Sequence, residues 1–486
     1  MIRCISLFLI LFPLLAFSQN ETDLYRYSRT TYGGSARFES MAGSFGALGA
    51  DMSCSQTNPA GMGRFSSSKA EMTFFGARVH NQSNFNQTVT SSGIFTGGLS
   101  NIGIVITTDA SIKPGGILYQ QLGLGMNRIE SFRNTFNYQG AQFESLLDGF
   151  ADQAEGIEPA SLNDYFPFST FVAYQTYALD YYAPTQSYYS LLNSGDVYHD
   201  RTVETYGGQN ELFISYSINY LNRVYVGSSI GFRYHRYEEA ISHKETLTDT
   251  SNTPLRSFEY NYDLNTSGWG TNLKVGAIYL VNESVRTGFA FHSPTFGELT
   301  DSWSANMTSH FQDSTVYLPS HLVPTGNYRY RIRNPIRLIG SLAYVFSTRG
   351  CINIDLEYID YRMAHFRSTK DKTYLPYSYS AENDYAKTVF RPALNVRLGG
   401  EYIVASILYL RGGIAYYPKA FKEEIDIENS GDFLVTTGAG IKTKRFYVDL
   451  ALKFRSSSKN YNAFYGSEAR INSFTQHVFL SGGITL

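Results

Sequence analysis

Apolar and polar residues alternate along most of this chain. In Arg445-Phe446-Tyr447-Val448-Asp449-Leu450-Ala451-Leu452-Lys453-Phe454-Arg455 every second residue is large and apolar, and those between are mostly charged or small. A strand points successive side chains to opposite faces, so one face here belongs against hydrocarbon and the other against water. The pattern recurs in Leu212, Ile214, Tyr216, Ile218 and Tyr220, in Ile352, Ile354, Leu356 and Tyr358, in Leu394, Val396, Leu398 and Tyr402, and in Val478, Leu480, Ile484 and Leu486. A soluble sandwich would turn the polar faces outward. A transmembrane barrel turns the apolar faces to lipid and the polar faces to a lumen.

The alternation marks about fourteen segments, an even number as a bacterial barrel requires. They lie near 69–79, 101–109, 117–136, 209–221, 223–238, 256–281, 284–294, 329–346, 350–363, 389–403, 406–417, 431–442, 445–456 and 474–486. The sixth is interrupted by Gly268-Trp269-Gly270 and reads as a kinked strand or as two strands. Connections alternate in length: short at 222, 282–283, 347–349, 404–405 and 443–444, long at 137–208, 239–255, 295–328, 364–388, 418–430 and 457–473. Short periplasmic turns and long outer loops characterise an outer-membrane barrel. The sequence therefore predicts an all-β, transmembrane antiparallel barrel over 69–486, with the long loop 137–208 outside the cell. Asp355, Glu357, Arg397, Glu401, Arg411, Arg445, Asp449, Lys453 and Arg455 share the inward parity. They either brace the interior through mixed-sign pairs or line a selective pore, and the mixture of signs argues against strong ion selectivity.

Composition sharpens this picture. Residues 1–18 have the form of a secretory signal peptide, with Arg3 at its start, an apolar stretch over 5–17 and small residues at Ala16 and Ser18. Gln19 then begins the mature chain. No later run of about 18 or more apolar residues could form a spanning helix, and mean hydropathy is −0.23. The 39 Tyr, 34 Phe and 42 Gly, against 2 Trp and 14 Pro, suit strand surfaces, interface girdles and crowded turns. A net charge of −2 gives no reason to bind nucleic acid. Cys54 and Cys351 survive processing, as two isolated buried thiols or as one bridge in an oxidising compartment.

Residues 19–68 break the alternation. Met41, Phe45 and Leu48 have one-face helical spacing, weakened by four nearby glycines. In Thr57-Asn58-Pro59-Ala60-Gly61, Asn58 suits a helix N-cap, Pro59 the first helical position and Gly61 a prompt stop. A Gly-rich segment of this size has too little surface for a core of its own. It is either a plug packed inside the barrel or a mobile periplasmic tail.

Tyr32-Gly33-Gly34-Ser35-Ala36-Arg37, Ser44-Phe45-Gly46-Ala47-Leu48-Gly49-Ala50-Asp51 and Asn58-Pro59-Ala60-Gly61, in that order, resemble the FadL/TodX-type family of long-chain fatty acid outer-membrane transporters, in its Bacteroidetes-like branch. Phe291-His292-Ser293-Pro294-Thr295-Phe296, Asp355-Leu356-Glu357-Tyr358-Ile359-Asp360-Tyr361 and Arg397-Leu398-Gly399-Gly400-Glu401-Tyr402 extend the resemblance over nearly the whole mature chain. It implies a fourteen-stranded outer-membrane barrel in a Gram-negative bacterium, stoppered by an N-terminal hatch. It further implies admission of hydrophobic molecules from an outer groove to an inner pocket, and onward when the hatch shifts. Asn58, Pro59 and Ala60, with Gly61 completing the motif, match the hatch and take a gating or anchoring role. The terminal Leu486 departs from the aromatic residue that commonly ends such barrels.

Loop 137–208 is long enough to carry function. Phe143, Leu146, Leu147, Phe150, Ala151 and Ala154 predict one amphipathic helix, ended near Gly156 and Pro159. Phe168, Phe171, Tyr174, Tyr177, Ala178 and Tyr181 predict a second, looser stripe. These faces either pack on each other and the rim, or form an apolar docking cleft. On the latter reading Phe143, Leu147, Phe150, Phe171 and Tyr174 border it. The Gly-x-Ser-x-Gly string Gly227-Ser228-Ser229-Ile230-Gly231 lies inside the alternating segment 223–238 and so is no strand-to-helix elbow, no dinucleotide or phosphate loop or His/Cys run with metal spacing is present, and His235, His292 and His477 stand isolated on strands. An enzyme, a cofactor and a metal are therefore not expected. Two functions remain: passive uptake of small hydrophobic molecules such as long-chain fatty acids, with outer-membrane lipid as surroundings, or a scaffold or shuttle for secreted proteins working with a secretion system.

Overall fold

A computed structural model describes residues 20–111, 115–192, 197–248, 253–346, 349–422, 431–464 and 466–486. The signal peptide expected at 1–18 lies outside the described residues, as does Gln19. The remainder is a closed fourteen-stranded antiparallel barrel. Its strands are β1 Lys69–Phe85, β2 Thr88–Asp109, β3 Ile117–Ser131 continued by Asn134–Gln142, β4 Val197–Tyr220, β5 Val224–Leu247, β6 Leu255–Leu280 and β7 Val285–His292 continued by Phe296–Phe311. The circuit goes on with β8 Thr325–Arg333 and Arg337–Val345, β9 Gly350–Asp360 and His365–Ser368, β10 Pro392–Ala405, β11 Leu408–Tyr417, β12 Gly431–Lys442, β13 Phe446–Phe464 and β14 Ser467–Thr485. Each pairs with its neighbour, and β14 returns to β1 from Thr485 opposite Lys69 to Arg470 opposite Asn84.

The alternation sorts as the physics requires. Leu212, Ile214, Val226, Ile230, Leu356, Leu398, Leu450 and Val478 face outward, while Ser215, Ser217, Asp355, Glu357, Arg397, Asp449 and Lys453 are buried within. Lipid offers backbone groups no partner, so only a closed ladder can span it. The sixth segment proves to be one unbroken strand. The interruption falls in β7 instead, at 293–295, opposite the stretch of β6 next to Gly270. Several long connections are shorter than the pattern implied. Residues 80–100 form the tops of β1 and β2 around a turn at Asn86 and Gln87, both at positive φ. Residues 457–473 are the tops of β13 and β14. The outermost residues of these strands lie above the hydrocarbon, where the outward face has no need of apolar residues and the two-residue period fades. Arg445 sits exposed in the turn before β13 rather than on the inner wall.

The N-terminal segment fills the bore. Residues 38–63 are buried except for the partly exposed Ala50. The chain runs through α1 (Glu21–Ser28), α2 (Ala36–Ser40) and α3 (Cys54–Thr57) into a 3-10 turn at Pro59–Arg64. The helix expected from Met41, Phe45 and Leu48 is absent: α2 stops at Ser40, and Ala42 and Gly43 take positive φ as the chain turns back. α2 packs against β11–β14, and the 3-10 turn against β3–β6. Glycines on the inner wall permit this approach. A Cβ on Gly227 would lie 2.5 Å from the Pro59 carbonyl oxygen, and one on Gly413 would lie 2.6 Å from the Met41 carbonyl carbon. Cys54 and Cys351 are both free and buried, in one apolar cluster with Phe38, Phe45 and Leu48.

Mixed-sign charges brace the interior. Glu357 accepts from both Arg397 and Arg337 and from the Tyr32 hydroxyl at 3.0 Å. Arg411 bridges Glu401 and Asp449 at 2.6 and 2.5 Å. Arg37 also reaches Glu401, and Lys453 meets Glu39 at 2.7 Å, so plug and wall share one network. Removing one member of a buried pair strands the other. Glu357→Ala is accordingly expected to lower stability by roughly 3–5 kcal/mol, read from the denaturant midpoint of the folded barrel in detergent. Gly276 abuts Asn58. Gly276→Val should unseat the plug at a cost of about 1–3 kcal/mol. Limited proteolysis should then cut residues 20–64 while the barrel keeps its heat-modifiable migration.

Candidate functional site

The plug's central loop is held by one carboxylate. Asp355 of β9 accepts from the Phe45 amide at 3.0 Å and the Gly46 amide at 3.1 Å. Asn353 supports it at 2.7 Å, and Ser44 Oγ donates to the Asn353 carbonyl at 2.9 Å. A buried carboxylate met by several N–H groups holds the loop by strong hydrogen bonds.

Asn58, Pro59, Ala60 and Gly61 come next to it. The Asn58 side chain accepts from the Ala60 amide at 3.1 Å, the N-cap geometry expected, and Pro59 opens the turn. Its Nδ2 donates to the Gly46 carbonyl at 2.6 Å and to Ala277 of β6 at 3.2 Å. One side chain thus joins the turn, the Asp355-bound loop and the wall. Ser217 Oγ donates to the Pro59 carbonyl at 2.7 Å, and His292 Nε2 lies 2.8 Å from the Thr57 carbonyl. Gly61 does not end the turn, which runs on to Arg64. Its amide bonds to the Asn58 carbonyl, and its carbonyl accepts from Ala50. The motif is thus tied to both plug and wall, a relation to residues far away in sequence that spacing cannot reveal.

Beside the plug the wall has a seam. The β2–β3 ladder runs only from Asp109 opposite Tyr119 to Asn101 opposite Asn127. Beyond it, β2 pairs only with β1, and Asn134–Gln142 pairs only with β4. Side chains cross the gap: Ser92 Oγ to the Thr135 carbonyl at 3.1 Å, Thr90 Oγ1 to the Asn137 carbonyl at 2.5 Å and Asn86 Nδ2 to the Ala141 carbonyl at 3.0 Å. Where the ladder stops the plug touches it. The Gly33 amide donates to the Arg128 carbonyl at 2.8 Å, and Ser100 Oγ to the Gly34 carbonyl at 2.8 Å.

At the outer end, loop residues cap the barrel. The first amphipathic stripe forms α4 (Leu146–Asp152), closed at its start by a Ser145/Asp148 capping box. α5 (Leu162–Tyr165) and α6 (Thr170–Gln175) follow. The second stripe stays helical only to Gln175. Tyr177 turns to positive φ, and Leu179–Tyr182 pairs with Ser187–Ser190 as a hairpin. The five residues expected to border a cleft do not converge on one opening. Phe143 is 72 % exposed. Leu147 and Phe150 pack into the apolar cluster under the loop, and Tyr174 packs edge-on to Tyr188. Phe171 alone of the five lines an outer cleft of about 640 Å³, with Phe168, Trp303, Leu322, Val323 and Tyr328. Trp303 and Leu322 come from β7 and the connection after it, so the loop pattern held no sign of them.

Among histidines, His235 lies edge-on to Tyr27, and His477 lies between Phe75 and Phe479. His199 and His243, far apart in sequence, come together with Glu245. Register explains it: His199 is opposite Glu245 across β4 and β5, and His243 precedes Glu245 by two on the same face. Only the short His243-Lys244-Glu245 alternation hinted at this grouping.

Comparison of the sequence with curated proteins finds no match. The fold is similar to a Pseudomonas aeruginosa FadL homologue, at 12 % identity over 94 % of this chain and 99 % of that one, with a TM-score of 0.56. It is also similar to the Pseudomonas putida toluene transporter TodX, at 14 % identity over 94 % and 99 % of the two chains, with a TM-score of 0.51. Residues 29–464 match the family described as outer membrane protein transport protein (OMPP1/FadL/TodX). The chain belongs to that family and is an outer-membrane β-barrel.

Proposed function

We propose that this barrel is a passive channel for small hydrophobic molecules, such as long-chain fatty acids, gated by its N-terminal plug. The observation that carries the reading is a bore filled by residues 38–63 beside a wall whose β2–β3 ladder is broken at the same level. A polar solute would need an open aqueous path through the bore. An apolar one can leave sideways into the membrane. The outer cleft at Phe168, Phe171 and Trp303 offers the first apolar surface, with Asn163, His321, Thr325 and Asn327 among its polar groups. The toluene transporter with this fold carries a hydrophobic solute by name, which supports the same class of cargo. Long-chain fatty acids fit an apolar cleft with scattered polar groups at its rim. Transport runs down the substrate gradient, and the gate includes Asn58-Pro59-Ala60-Gly61, since Asn58 joins turn, loop and wall.

Two measurements test the reading in proteoliposomes loaded with a fatty-acid-binding reporter. Asn58→Ala removes the cap and both Nδ2 bonds, and uptake of a fluorescent long-chain fatty acid should change several-fold; an unchanged rate removes the plug as gate. A Thr90→Cys/Asn137→Cys pair joined through two mixed disulfides by a short bis-methanethiosulfonate crosslinker clamps the seam. Uptake should fall to background and return on reduction, and undiminished uptake would exclude the sideways exit.

A further inference from the structure

His199, His243 and Glu245 have no part in the uptake path proposed above. All three are fully buried at the outer end of the barrel. The outward face of β5 shows that they lie above the hydrocarbon. After the exposed Phe232 it presents Arg236 and later Lys244, both well exposed. His243 Nε2 lies 2.7 Å from Glu245 Oε1, and His199 Nδ1 lies 3.5 Å from the same oxygen. Tetrahedral zinc, with bonds near 2.0–2.1 Å, sets neighbouring ligand atoms roughly 3.3 Å apart. The two observed separations bracket that spacing, so a small shift would open room for an ion.

A simple buried His–Glu hydrogen bond leaves too much unexplained. Among the described residues, neither ring nitrogen of His199 nor Nδ1 of His243 has a hydrogen-bond partner in good geometry, the backbone at Glu144 being the nearest group to His199. Buried imidazole nitrogens without partners are costly. The shell is apolar: His199 stacks on Phe464 and lies near Phe85, and His243 faces Phe258 and Phe464. Glu245 is oriented from outside, by the Ser145 hydroxyl and by the Leu146 amide at 2.8 Å. An oriented carboxylate beside two imidazoles in an apolar shell is how metal sites are supported. Arg201 faces the cluster from β4, while Asp200 lies on the opposite face of the strand, held by Asn137 and Gln139, and the backbone at Glu144 acts on the His199 ring.

We infer that His199, His243 and Glu245 form a zinc site that fastens the outer loop to the barrel wall. Two imidazoles and one carboxylate suit zinc and leave one tetrahedral position for water or a ligand atom. Because Glu245 also holds the start of α4, a bound ion would lock α4 onto β4 and β5.

The test uses the full-length barrel in detergent, stripped with chelator and titrated with Zn²⁺. One ion per chain should survive desalting, measured by elemental analysis, and Co²⁺ in its place should give the visible bands of a low-symmetry site. His199→Ala and His243→Ala should each abolish retention, Ser145→Ala should weaken it about ten-fold, and exposed His80→Ala should leave it intact. Zinc should also slow proteolysis within 143–192 in the wild type only. The inference fails if the wild type retains no more zinc than a His199→Ala/His243→Ala variant that migrates as a folded barrel. It fails equally if either single variant keeps the full stoichiometry. Neither outcome touches the uptake assays.

Discussion

Every backbone amide and carbonyl that meets lipid has to find its partner inside the protein. The rest of this structure follows from that constraint. It demands a sheet without edges, which β1 and β14 supply by pairing from Lys69 and Thr485 to Asn84 and Arg470. It forces the two-faced strands, since each wall residue then looks either to hydrocarbon or to the bore. It also makes any gap in the ladder conspicuous. At the β2–β3 seam, Thr90, Ser92 and Asn86 supply side-chain bonds in place of backbone ones, and the plug presses Gly33 and Gly34 against the place where the ladder stops.

The polar faces create a second demand. A ring of buried carboxylates and guanidiniums is tolerable only if each is paired. Here the pairing extends into the plug: Glu357 reaches Tyr32, Asp355 holds Phe45 and Gly46, Glu401 holds Arg37, and Lys453 holds Glu39. The interior charges thereby both brace the wall and hold the stopper. Motion of the plug would have to break several charged contacts together.

Much of this was legible in the residues. Leu450 and Val448 outward with Asp449 and Lys453 inward follow from a period of two, and Asn58 capping a turn that opens at Pro59 follows from their chemistry. The tops of β1, β2, β13 and β14 were not legible, because above the membrane Arg236 or Lys244 serves on an outward face as well as leucine does. Arg445 had the inward parity but falls in a turn. Phe143 continued a helical stripe, yet the helix starts after it, at Leu146, and its ring points to solvent.

The sequence alone determined which side chains face lipid, how many strands circle the bore and which segment could fit inside it. Those properties depend on neighbours along the chain, through the fixed geometry of a strand. Tertiary structure decided what meets across the bore and across strands: Asp355 with Gly46, Asn58 with Ala277, and His199 with His243 and Glu245. Such meetings depend on register and closure, which bring together residues separated by up to several hundred positions, and no local pattern encodes them.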